Sequence, residues 1–251
     1  MPNAAVGLIA FAVIFGGALI GVGAARMLPE HHLDAETRSA VSVSVAIVGT
    51  LAALVIGLLI STASRSFLDR AADVSELSSD LIRADRMLER YGPEAKDARA
   101  KLHAWAFAKA QELFPDPGAP PVSSDDSLAL LESTQDAVLG LAPKTPQQEF
   151  MRSRALAMTV DITGARWKLF QQESSNIPMP FLVLLMFWLA VVFASFGLFA
   201  PPNATAIAAL MLCSITVSGG IVMILELDSP FSSILHVSSE PMRKALIQIG
   251  R

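Results

Sequence analysis

The chain has 251 residues, 53% hydrophobic and 17% charged, with a formal net charge of −4 and a mean hydropathy of +0.50. This balance excludes a disordered chain, and the absence of a basic excess excludes a nucleic-acid binder. The 19 Lys and Arg and 23 Asp and Glu avoid four windows altogether: residues 4–25, 40–60, 181–200 and 204–225.

Each window is roughly 20 residues long, which as a helix matches the ~30 Å hydrocarbon thickness of a bilayer. Four such continuous runs fit helices rather than the short alternating strands of a membrane barrel. The first window resembles a secretory signal at Val22, Gly23 and Ala24, but its apolar stretch is too long and Met1-Pro2-Asn3 carries no basic residue, so a retained helix is expected. The fold class is an all-α integral membrane protein: four transmembrane helices with a cytoplasmic helical domain inserted between helices two and three. The expected divisions are 1–60 (helices one and two), 61–180 (the helical domain), 181–225 (helices three and four as a hairpin) and 226–251 (a C-terminal tail).

Four spans put both termini and residues 61–180 on one side. Arg65, Arg70, Arg166, Lys168, Arg243, Lys244 and Arg251 lie on that side, against Arg26 and Arg38 on the other. The positive-inside rule makes that side the cytoplasm of a bacterial inner membrane.

Within 61–180, Leu77, Leu81, Leu88 and Tyr91 recur at helical spacing, and no Pro or Gly separates them from helix two, so one long helix is expected. Gly92-Pro93 ends it, and the next helix runs from Glu94 to about Phe114. Pro115 to Pro121 is a breaker cluster. A shorter helix is predicted from about Ser127 to Leu141, with Leu128, Leu131, Val138 and Leu141 available for burial. Thr145-Pro146-Gln147-Gln148 reads as a capping box opening a helix that continues to about Asn176, before Ile177-Pro178-Met179-Pro180 resets the chain.

The windows hold neither charge nor Pro, which argues against proton pumps and coupled transporters and leaves a passive pore possible. Small residues at helical spacing, Gly17 with Gly21 and Gly49 with Ala53 and Gly57, read as close helix packing. Ser42, Ser44, Thr50, Ser214, Thr216 and Ser218 are either packing hydroxyls of this kind or parts of a hydroxyl-lined conduit. Glu226 and Asp228 end the fourth helix; they read as an acidic cap bonding local amides or Arg243 and Lys244, or, in a symmetric oligomer, as a carboxylate ring. His31-His32 with Asp34 and Glu36 lacks a metal-ligand spacing and reads as a polar loop; His103 and His236 are isolated. Trp167 and Trp188 read as anchors or packing. Cys213 stands alone, without a disulfide partner. No nucleotide-binding Gly loop, zincin helix or nucleophile elbow occurs, so neither an enzyme nor a cofactor is expected.

The order of motifs resembles the bacterial bestrophin-like membrane proteins. The resemblance rests on Gly49-Thr50-Leu51-Ala52-Ala53-Leu54-Val55-Ile56-Gly57-Leu58-Leu59 leading into Ser61-Thr62-Ala63, and on Arg90-Tyr91-Gly92-Pro93-Glu94-Ala95. It continues through Arg166-Trp167, Phe196-Gly197-Leu198-Phe199-Ala200-Pro201 with Asn203, and Ile224-Leu225-Glu226-Leu227-Asp228 before Pro230-Phe231. More distantly the chain is similar to the true bestrophins, pentameric chloride channels with four transmembrane helices per subunit and a hydrophobic neck. Their fourth helix is followed by Pro-Phe-Gly and an acidic calcium-binding run; here Pro230-Phe231 matches, and Ser232, Ser233 and Ile234 stand where the Gly and first acidic residues would fall. The resemblance implies an ion channel built as a homo-oligomer, a pentamer if it follows the bestrophins, without carrying over calcium dependence. The alternative is a non-conducting membrane scaffold whose cytoplasmic helices dock a protein partner.

Overall fold

A computed structural model describes residues 3–29, 34–116, 118, 120, 122–171, 177, 179–228, 231 and 235–249. These form eight α-helices in the order α1 (Asn3–Ala25), α2 (Ala35–Tyr91), α3 (Lys96–Leu113), α4 (Ser124–Leu139), α5 (Pro146–Gln171), α6 (Met179–Phe199), α7 (Ala204–Asp228) and α8 (Glu240–Ile249). A 3-10 turn, Pro93–Ala95, precedes α3. Strands are absent among the described residues. Helices α1, α2, α6 and α7 are long and apolar enough to cross a membrane, in agreement with the four charge-free windows.

The chain forms two compact units: residues 1–67 with 175–235, and residues 68–174 with 236–251. In the first, α1 packs against α6 and α7. Glycines set the α1–α6 distance. A Cβ on Gly21 would lie 1.9 Å from the Ala194 carbonyl oxygen, one on Gly17 2.8 Å from that of Ala190, and one on Gly197 2.0 Å from that of Ala18. In lipid, where apolar side chains gain little by leaving the solvent, such backbone approach supplies the dispersion contacts that hold helices together. The first part of α2 adds Val45, Ala52, Leu59 and Ala63 to this core, with Val41, Val48 and Val55 partly buried beside them. Their spacing of three or four residues makes a single seam along one side of the helix.

In the second unit α2 repeats this pattern with Val74, Leu77, Leu81, Ala84, Leu88 and Tyr91, all buried. They share the core with Leu102 and Trp105 of α3, Leu131 and Val138 of α4, and Ile162 and Leu169 of α5. Two buried carboxylates are paired: Asp85 accepts a bidentate bond from Arg99 at 2.7 and 3.0 Å, and Glu112 accepts from Lys109 Nζ at 2.7 Å.

As expected, α2 runs unbroken to Tyr91. Gly92 then takes φ +125°, a conformation open to glycine, and Pro93 starts the next turn. Two boundaries differ from expectation. The shorter helix begins at Ser124 and not Ser127, because the Ser123 hydroxyl accepts the Asp125 amide and Asp125 and Asp126 complement the helix dipole; it ends at Leu139, before Gly140. At α5 the Thr145 hydroxyl accepts the Gln148 backbone amide at 3.1 Å as a cap should, but the Gln148 side-chain Oε1 accepts from the Lys144 amide, one residue further back. The Gln148 side-chain amide also donates to the Tyr91 carbonyl at 3.1 Å, satisfying an orphan carbonyl at the end of α2. The expected continuation of this helix to Asn176, and Pro178, lie outside the described residues.

Helix α8 has no counterpart in the sequence reading, which treats residues 226–251 as a tail. Its Met242, Ala245 and Ile249 are buried at helical spacing, and it packs on α3.

Candidate functional site

The residues singled out as pore candidates sit on α7 and on the part of α2 that belongs to the first unit. Glu226 and Asp228 close α7 and are buried, at 9% and 4% exposure. The Glu226 carboxylate accepts a hydrogen bond from the Asn3 side-chain amide at 3.0 Å, and the same amide lies 3.4 Å from the Leu225 carbonyl. The first residue of α1 therefore caps the end of α7. Arg243 and Lys244, the alternative partners read from the sequence, both pair with Glu240 one turn earlier in α8. Asn3 was not anticipated, because a single Asn before an apolar window carries no signal of a partner more than 200 positions away.

The six hydroxyls divide between two environments. Ser214 and Ser218 lie on the buried face of α7 with Ile221 and Ile224, and each bonds back to the preceding turn, Ser214 to the Leu210 carbonyl and Ser218 to that of Ser214, both at 2.8 Å. Ser42, Ser44, Thr50 and Thr216 are exposed. Ser44, Thr50 and Thr216 also donate to the carbonyl four residues earlier, the usual way a hydroxyl is satisfied in an apolar helix.

The glycine pairs likewise separate. Gly17 and Gly21 meet α6, whereas a Cβ on Gly49 or Gly57 would have nothing within 4 Å, and Ala53 is exposed. The side of α2 opposite its buried seam carries Val43, Ile47, Leu54 and Leu58, each 59–66% exposed. Helix α2 thus has two apolar faces, two residues or about 200° apart, and its own chain covers one of them.

His31 and His32 lie outside the described residues, as do Pro230, Ser232, Ser233 and Ile234. Cys213 is exposed.

Residues 12–242 match the family model described as a Bestrophin-like domain. The chain belongs to the bestrophin-like family. No curated protein matches this bestrophin-like chain. Among solved structures it is similar to crystal structures of a bacterial Bestrophin homolog from Klebsiella pneumoniae. One mutant of that protein aligns at 14% identity with a TM-score of 0.67, covering 97% of this chain and 99% of the other. A second gives a TM-score of 0.70 at 14% identity, covering 98% and 97%. The likeness extends over nearly the whole bestrophin-like chain, and at this identity it speaks to the fold alone.

Proposed function

We propose that the protein is an oligomeric ion channel of the bacterial inner membrane, conducting passively, with the outward face of α2 from each copy lining a shared pore. The observation that carries this reading is the second apolar face of α2. Val43, Ile47, Leu54 and Leu58, with Thr50 among them, remain uncovered while the opposite seam is packed. Repeated around an axis, that face would form an apolar lumen dotted with hydroxyls, of the kind that gates by dewetting. Membership in the bestrophin-like family supports a ring of copies, a pentamer if the resemblance extends that far, with anions as the favoured cargo. The basic residues beside the windows favour placing the termini, residues 61–180 and the tail in the cytoplasm. The role in this reading is not enzymatic: the candidate residues are hydroxyls, most of them bonded to the preceding turn of their own helix, and a carboxylate, Glu226, held by Asn3.

The Asn3 bond and the burial of Glu226 favour a structural cap for this carboxylate over an ion-contacting ring. Proteoliposomes test both levels. Chloride flux above empty vesicles from an oligomeric preparation is expected; no flux from a protein that is monomeric by light scattering would overturn the channel and leave the scaffold docking a partner. Glu226→Gln is expected to keep ion preference, and a changed preference would restore the ring.

A further inference from the structure

Arg26 and Arg38 are the basic residues that stand against the charge bias of the sequence, and the fold brings them together. Arg38, near the start of α2, heads a groove of about 400 Å3 between α2 and α6. Its apolar walls include Val41, Val45 and Gly49 on α2 and Val192, Phe196 and Phe199 on α6. An adjoining recess of about 520 Å3 is lined by both Arg26 and Arg38, with Phe199 and Pro201 shared between the two. No Asp or Glu is among the described residues lining either. No described residue gives either guanidinium a side-chain hydrogen bond or ion pair. Gly49 keeps the groove open, since nothing lies within 4 Å of where its side chain would begin.

We propose that this groove binds an anionic phospholipid, one acyl chain lying between α2 and α6 and the phosphate held by Arg38 and Arg26. The two arginines flank the charge-free windows, Arg26 directly after residues 4–25 and Arg38 just before residues 40–60, which is the level of lipid headgroups. Below them the walls are apolar and suited to methylene groups. Two guanidiniums lining one recess, with no Asp or Glu among its described lining residues, favour a headgroup with net negative charge over a zwitterionic one, whose own cation would face them. The volume falls in the range of small-ligand sites, roughly 300–1,000 Å3.

The full-length protein, delipidated in detergent and offered phosphatidylglycerol and phosphatidylcholine with identical chains, is read by native mass spectrometry. Retention of phosphatidylglycerol about tenfold above phosphatidylcholine is expected. The double variant Arg26→Gln/Arg38→Gln should lose that preference. Gly49→Phe, which fills the groove and leaves both arginines in place, should lower retention of both lipids; Ser195→Leu, on the opposing wall, gives the same readout should the first variant fail to fold. Equal retention of the two lipids by the wild type overturns the proposal, as does a preference that survives loss of both arginines. Oleate retained as well as phosphatidylglycerol would assign the groove to free fatty acid, and dissociation of an oligomer in the double arginine variant would assign it to a second copy of the chain; either result also overturns it.

Discussion

The side chains of Asn3 and Glu226, 223 positions apart, meet at 3.0 Å and tie the first turn of α1 to the last turn of α7. Replacing Asn3 by Ala removes the donor and leaves a buried carboxylate with one partner fewer. A hydrogen bond to a charged acceptor of this kind contributes about 1.5–3 kcal/mol. The melting midpoint in detergent should therefore fall by several degrees for Asn3→Ala and by less for Glu226→Gln, whose amide oxygen still accepts. An Asn3→Ala midpoint equal to wild type would contradict this.

The glycines of the membrane helices should respond in opposite ways to the same substitution. Gly21→Ala places a methyl group 1.9 Å from the Ala194 carbonyl oxygen, a backbone atom that cannot move aside, and should cost about 1–3 kcal/mol or more. Gly57→Ala meets nothing within 4 Å and should be neutral or stabilising by up to about 1 kcal/mol, because alanine is the better helix former. Thermal unfolding of the two variants side by side measures the difference.

Lys109 and Glu112 form a buried ion pair, their side chains 1% and 8% exposed. Lys109→Met strands the Glu112 carboxylate in the core and should cost about 3–5 kcal/mol, whereas Lys109→Met/Glu112→Leu should recover most of that loss. Chemical denaturation of the three proteins forms the cycle; a double variant as unstable as the single one would show that the polar pair itself is needed.

Glu94 has its carboxyl held below the ordinary value of 4.5, first by its own backbone amide and then by Lys144 Nζ at 3.3 Å. A lowered folded-state value means that the ionised carboxylate stabilises the fold, an effect fully present above pH 4.5 and lost as pH falls through the lower folded value. Glu94→Gln should accordingly lower the melting midpoint slightly at neutral pH and leave it equal to wild type well below pH 4. A difference that persisted in acid would assign the effect to packing.

The sequence alone determined the number and extent of the membrane helices, because desolvating a charge in lipid is costly enough to keep every Asp, Glu, Lys and Arg out of four windows. It also determined the unbroken α2 and its end at Gly92-Pro93, since backbone φ and a missing amide proton act within a few residues. What it left open were matters of direction. Ser214 and Ser44 have the same chemistry and the same bond to the turn behind them, yet one is buried and the other exposed. Gly21 and Gly57 are alike in composition and differ only in whether a neighbouring backbone lies against them. The Asn3 cap on Glu226, the meeting of Arg26 with Arg38 and the docking of α8 on α3 all join residues brought close by packing. Only the tertiary structure decided them, because helical periodicity tells which residues share a face and not which partner that face will meet.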